Sequence, residues 1–168
     1  DSVGGALGLQ LALDHPARVS RLVVLCSAAK FGTTEAWQER AALVRVEGMA
    51  PMVASSPARW FGTAIQGADD GRIGAALTDL AAVDPNSYAR VCEALGSFDL
   101  REHLGSITVP VLGVAGADDV ATPPATVSEI VDGVADGRLE VLPGVGHLAP
   151  YEDPDGVTSL LADFLARD

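Results

Sequence analysis

The chain has 168 residues, of which 11 are basic and 23 acidic, for a formal charge of −12, and 48% are apolar. That length suits one domain with its own core, the apolar share is too high for a disordered chain, and no run of about 18 apolar residues offers a membrane span. With no basic cluster to meet phosphates, the acidic balance excludes nucleic acid and anionic membrane surfaces as partners.

Residues 3–14 are rich in Leu and Ala and read as a helix that must end before Pro16, which lacks an N–H and restricts His15. Gly4, Gly5 and Gly8 weaken that helix and point to close packing against a strand or backbone. Residues 21–28 follow, and their run from Leu22 to Cys26 reads as a strand buried on both faces. From 29 to about 107 the character changes to helices with no convincing strand. Thr33 or Thr34 can cap a helix through Glu47, which Gly48 stops. Ile73, Leu77 and Leu80 fall at helical spacing within 71–83, and Asp84-Pro85 opens a helix to about Leu95.

Beyond residue 108 the pattern returns to alternation. Residues 108–116 read as a buried strand, and Thr122-Pro123 as the cap of a helix to about Val134. Residues 138–143 alternate as a strand, and Leu160, Leu161, Phe164 and Leu165 mark a final amphipathic helix. Strand, loop, helix, strand, loop, helix implies parallel crossovers in an α/β sheet, whose active residues lie on loops after the carboxyl ends of strands.

Three such loops carry candidates. Asp1-Ser2-Val3-Gly4-Gly5 opens the first helix and matches the later part of a G-x-S-x-G nucleophile elbow, in which small neighbours let a serine hydroxyl stand exposed on a sharp turn. The Val3 N–H, next after the nucleophile, is then an oxyanion donor at a helix N-terminus. The second loop holds Asp118 and Asp119 after a strand, where a triad acid belongs, although either can serve only to shape the turn. The third, Gly144-Val145-Gly146-His147, sets an imidazole on a tight loop after the last strand. The chain order Ser, Asp, His is one that triad hydrolases use. His15 and His103 read as surface residues, and Cys26 and Cys92 as inert small residues with no metal-ligand spacing, in keeping with a reduced, cytoplasmic setting.

On these residues the chain resembles the α/β-hydrolase family, and within it the 3-oxoadipate enol-lactonases of aromatic catabolism. The elbow DSVGG, the acid loop VAGADDVATPP and the histidine loop GVGHLAPYEDP are shared by many hydrolases. The segments CSAAKFGTTEAWQERAALVRVEGM, ARWF and DPNSYARVCEALGSFDLREHLGSITVP carry the more particular likeness. The resemblance implies an α/β-hydrolase fold with hydrolase core at 1–28 and 108–168, and a helical cap at 29–107 that selects substrate. It implies Ser2 as nucleophile, Asp119 (with Asp118 second) as acid and His147 as base, with no metal or organic cofactor. It also implies that an N-terminal half of the sheet precedes Asp1, that the 168 residues alone are inactive, and that some relatives are fused to a decarboxylase.

The substrate so implied is an anionic lactone, which a protein of charge −12 must meet with a local cation. Trp37 and Arg40 share a helix face, Arg59-Trp60-Phe61 forms a dense cluster, and Arg45 and Arg90 are further candidates. The alternatives are another carboxylesterase, lactonase or perhydrolase with the same triad, and a non-catalytic ligand-binding member or inactive fragment.

Overall fold

The computed structural model describes residues 1–68 and 71–166; Asp69, Asp70, Arg167 and Asp168 lie outside it. Three parallel strands, β1 (Leu22–Leu25), β2 (Val111–Gly116) and β3 (Gly137–Leu142), form a sheet in the order β1-β2-β3. Helix α1 (Val3–Asp14) precedes β1, and α8 (Pro124–Gly133) joins β2 to β3. After β3 come α9 (Ala149–Glu152) and α10 (Pro154–Leu165).

The strands' period of two divides the core. Val24 and Val111 face Leu9 and Ala12 of α1 and Ile130 of α8, while Leu112 and Val114 face Phe164 and Leu160 of α10. Helices therefore cover both faces, which is why β1 and β2 read as continuous apolar runs rather than alternating ones. Edge strand β3 is less buried, and Val141 is exposed. Leu165, placed on the apolar face of the last helix by its spacing, is also exposed, because that helix turns only Val157, Leu160, Leu161 and Phe164 inward. The close packing expected of the early glycines holds for two of three. A Cβ on Gly5 would come within 2.6 Å of Ser27 Cβ and one on Gly8 within 2.8 Å of Leu22 Cδ1, whereas Gly4 faces open space.

Between β1 and β2 lie α2 (Thr34–Glu47), α3 (Ala50–Ser55), α4 (Pro57–Trp60), α5 (Thr63–Gln66), α6 (Arg72–Ala81) and α7 (Pro85–Ser97). The caps are those the sequence dictates: Thr33 accepts from Ala36 N, Gly48 ends α2 at φ 70°, and Asp84 accepts from Ser87 N. These helices hold a second apolar cluster around Val44, Met52, Leu80, Ala89 and Cys92. Ala6, Phe31 and Leu95 link them to α1. Thr122 does not cap α8: Pro123 precedes that helix with no side-chain cap, because the Thr122 hydroxyl is engaged elsewhere. No described helix is long and apolar enough to cross a membrane.

Candidate active site

Ser2 sits between the carboxyl end of the sheet and α1, at φ 48° and ψ −120°, a backbone conformation that non-glycine residues rarely adopt. Two bonds hold it there. Its N–H donates to Leu25 O at the end of β1 (2.9 Å), and its carbonyl accepts from Ser27 Oγ (2.8 Å). Gly5 makes room for Ser27, so a methyl group at Gly5 would strike the side chain that fixes the elbow. Gly5→Ala therefore has an expected stability loss of about 1–2 kcal/mol, overpacking outweighing the gain in helix propensity. A thermal melt against wild type measures it.

Ser2 Oγ lies 2.9 Å from His147 Nε2, and His147 Nδ1 lies 2.9 Å from Asp119 Oδ2. Both His147 and Asp119 are buried. Asp119 Oδ1 accepts from the N–H groups of Ala121 (2.8 Å) and Thr122 (2.9 Å), and Oδ2 accepts from Thr122 Oγ1 (2.7 Å). Burial pushes this carboxyl up, but the bond to His147, the attraction of the imidazole and the donors of Thr122 outweigh it and hold the group below the ordinary aspartate range. Thr122 Oγ1 also stands 3.1 Å from His147 Nδ1. Such a series can draw a proton from the serine hydroxyl and hold the resulting imidazolium against a carboxylate. Val3 is the first residue of α1, so its N–H has no intrahelical partner to bond.

Asp118 is the other acid of this loop. It turns away, its Oδ2 accepting from Thr63 N (2.9 Å) and Thr63 Oγ1 (2.7 Å), bonds that hold its carboxyl below the usual range.

A cavity of about 220 Å³ opens over Ser2 and His147. Val3, Trp37, Arg40 and Trp60 line it, as do Thr122, Arg59 of the candidate cluster, Cys92, and Tyr88, which no sequence signal marks. Arg40 lies over the Trp37 ring, 4.7 Å from its centroid, and Trp37 Nε1 donates to Phe31 O (2.6 Å). Arg59 is half-buried, and burial together with the charge of Arg40 lowers its guanidinium from the ordinary value. Among the described residues neither arginine belongs to an ion pair.

The remaining candidates fall outside the cavity. Arg45 pairs with Glu93 at the surface (2.6 Å), Arg90 is exposed, and Phe61 is buried in packing. His15 and His103 are exposed. Burial pushes the Cys26 thiol up to about 11 and raises that of Cys92, so both are neutral at pH 7. Among the described residues no group of three His, Cys, Asp or Glu side chains is placed to hold a metal ion.

Known proteins match this arrangement along nearly its whole length. A 3-oxoadipate enol-lactonase of Acinetobacter baylyi is 36% identical over 99% of this chain and 62% of its own. The RutD protein of Variovorax paradoxus, named for carbamate hydrolysis, is 34% identical over 99% of this chain and 64% of its own. The crystal structure of the enol-lactonase from Burkholderia xenovorans LB400 superposes with a TM-score of 0.91 at 34% identity, over 99% of this chain and 64% of that one. The chain thus spans somewhat under two thirds of the length of these relatives. The profile of the α/β hydrolase family runs from residue 2 to residue 160, from the strained serine through to the last helix. The parallel sheet with helices on both faces agrees with that match, and the chain belongs to the α/β-hydrolase family.

Proposed function

We infer that the protein hydrolyses a small anionic lactone through an acyl-enzyme on Ser2, and that 3-oxoadipate enol-lactone is its substrate. The observation that carries this reading is a single cavity lined by Ser2 and His147 together with two guanidiniums, Arg40 and Arg59, that belong to no ion pair among the described residues. A carboxylate on the substrate would satisfy the two guanidiniums and set its lactone carbonyl toward Ser2. The enol-lactonases among the relatives support the choice of lactone.

In the reaction His147 Nε2 takes the Ser2 proton as Oγ bonds to the lactone carbonyl carbon. The Val3 N–H and the positive end of α1 face the oxyanion that forms. Collapse breaks the ring C–O bond, and the leaving enolate takes the proton from His147 and tautomerises to the ketone. Water then attacks the acyl-enzyme with His147 again as base, restoring Ser2 and giving the keto diacid. Asp119 holds the imidazole tautomer throughout.

The test compares turnover of the enol-lactone, its neutral methyl ester, 4-nitrophenyl acetate and a simple carbamate by the protein at its natural length. The expected order puts the free acid lactone first, with kcat/KM about ten- to a hundredfold above its methyl ester, since a charge-assisted contact is worth about 1.5–3 kcal/mol. Hydrolysis of the acetate ester or the carbamate without action on the enol-lactone would overturn the assignment.

A further inference from the structure

We propose that Glu152 is a positioning residue whose carboxylate joins the His147 loop to the substrate-facing wall at Arg59 and Trp60, so that both are set by one group. The proposal rests on the reading of Ser2 and His147 as nucleophile and base.

Two backbone N–H groups from distant parts of the chain converge on this side chain. Gly62 N donates to Oε2 (2.7 Å) and Gly146 N donates to Oε1 (3.0 Å). Gly146 directly precedes His147, and Gly62 lies two residues beyond Trp60. The two stretches touch backbone to backbone: His147 N donates to Trp60 O (2.8 Å), and Ala64 N to Gly144 O (3.1 Å). A Cβ on Gly62 would lie 2.2 Å from Gly144 O and 2.6 Å from Gly146 N, so no side chain fits between them.

The two donors reach different oxygens of the same side chain, an arrangement that a carboxylate supplies and an amide, with NH2 in place of one oxygen, does not. Glu152 is itself held from outside. Arg72 Nη1 donates to the carbonyls of Tyr151 (2.9 Å) and Glu152 (3.2 Å), and Tyr151 Oη donates to Arg72 O (2.8 Å). Asp118 ties the same inserted segment to the acid loop through Thr63; its side chain has no hydrogen bond to the histidine loop among the described residues, although its backbone N–H donates to Val145 O (2.9 Å). The two acids therefore anchor one segment at two places, and only the Glu152 anchor reaches the residue before His147.

Glu152→Gln tests this, with Asp118→Ala as comparison and Ser2→Ala as the control for the underlying reading, all at natural chain length and well below the melting midpoint. In Glu152→Gln one N–H faces an amide NH2. Expected are a ten- to thirtyfold drop in kcat on both 4-nitrophenyl acetate and the enol-lactone, a severalfold rise in KM for the anionic lactone, and a shifted or broadened downfield proton resonance of the His147–Asp119 bond. Asp118→Ala should keep kcat on the acetate ester within twofold. Should Glu152→Gln fail to fold, Glu152→Asp keeps the charge but is too short to span both donors, and the same loss in kcat is expected of it. A lowered melting point with kcat and the downfield resonance unchanged would mean a structural clamp only and overturn the proposal. Activity surviving in Ser2→Ala would instead remove the reading on which it rests.

Discussion

Ser2→Ala is expected to lower kcat by about 10⁵–10⁶ while leaving the melting temperature close to wild type, and Asp119→Asn by about 10⁴. The Ser2 hydroxyl makes one described side-chain bond, to His147, so on the proposed mechanism its loss removes the attacking atom and little else. The asparagine result follows from the four donors around Asp119. Its Oδ1 takes two backbone N–H groups, so the one remaining oxygen of an asparagine must stay on that side. Its NH2 then faces His147 Nδ1 and Thr122 Oγ1. An imidazole that accepts at Nδ1 carries its proton at Nε2, pointing at Ser2, and cannot serve as the base. Steady-state kinetics with active-site titration separates these outcomes from partial unfolding. A residual rate in Ser2→Ala within tenfold of wild type would mean that another group attacks.

Thr122→Val refines the same point. It deletes one donor to Oδ2, so the Asp119 carboxyl should rise toward the ordinary value. In the wild type the carboxylate's pKa is depressed by folding, so its contribution to stability is present above the unfolded value, about 3.9, and is lost as pH falls through the lower folded value. Raising the folded value should move the acid loss of stability to higher pH, with about a tenfold fall in kcat at neutral pH for one lost bond to a charged group.

How far the sequence could be read depended on whether a residue's role leaves a mark in its neighbours. Asp119 and His147 each follow a strand, and strand ends are legible from apolar runs and glycine loops, so their loops could be placed in advance, whereas Ser2 was legible from the small residues Gly4 and Gly5 that follow it at the start of a helix. Long capped helices were legible for the same local reason: Thr33, Gly48 and Asp84 act within their own turn. The short helices α3 to α5 were not, since four to six residues broken by Pro51, Pro57 and Gly62 carry no period. Thr122 was misread because Thr before Pro mimics a helix cap, while its real partners, Asp119 and His147, depend on how the chain folds back. Glu152 gave no signal at all, because what it recognises is two backbone N–H groups, which any residue supplies. Arg59 stood in a conspicuous cluster, yet nothing local distinguished it from Arg45, which turns outward to Glu93.

Arg59→Met is expected to raise KM for the anionic lactone about ten- to a hundredfold and to leave KM for 4-nitrophenyl acetate unchanged, the range following from about 1.5–3 kcal/mol for a hydrogen bond to a charged group. Its effect on stability should have the opposite sign. In the free protein this guanidinium is half-buried and repelled by Arg40, and both causes press it toward losing its proton. Methionine fills similar space without either penalty, so the unliganded variant should melt slightly higher than wild type. Arg40→Met should weaken binding by a similar factor without that gain, because Arg40 rests on the Trp37 ring, 4.7 Å away, and loses a favourable contact when removed. If both guanidiniums hold one carboxylate, the double variant should lose less than the product of the single effects, since each single change already frees the ligand's charged group to move. Thermal melts with and without the keto diacid product read both signs at once: the product should raise the wild-type midpoint and barely move that of the double variant. A fall in the free-state midpoint of Arg59→Met with an unchanged KM for the lactone would show that Arg59 supports the fold and leaves the anion to another group.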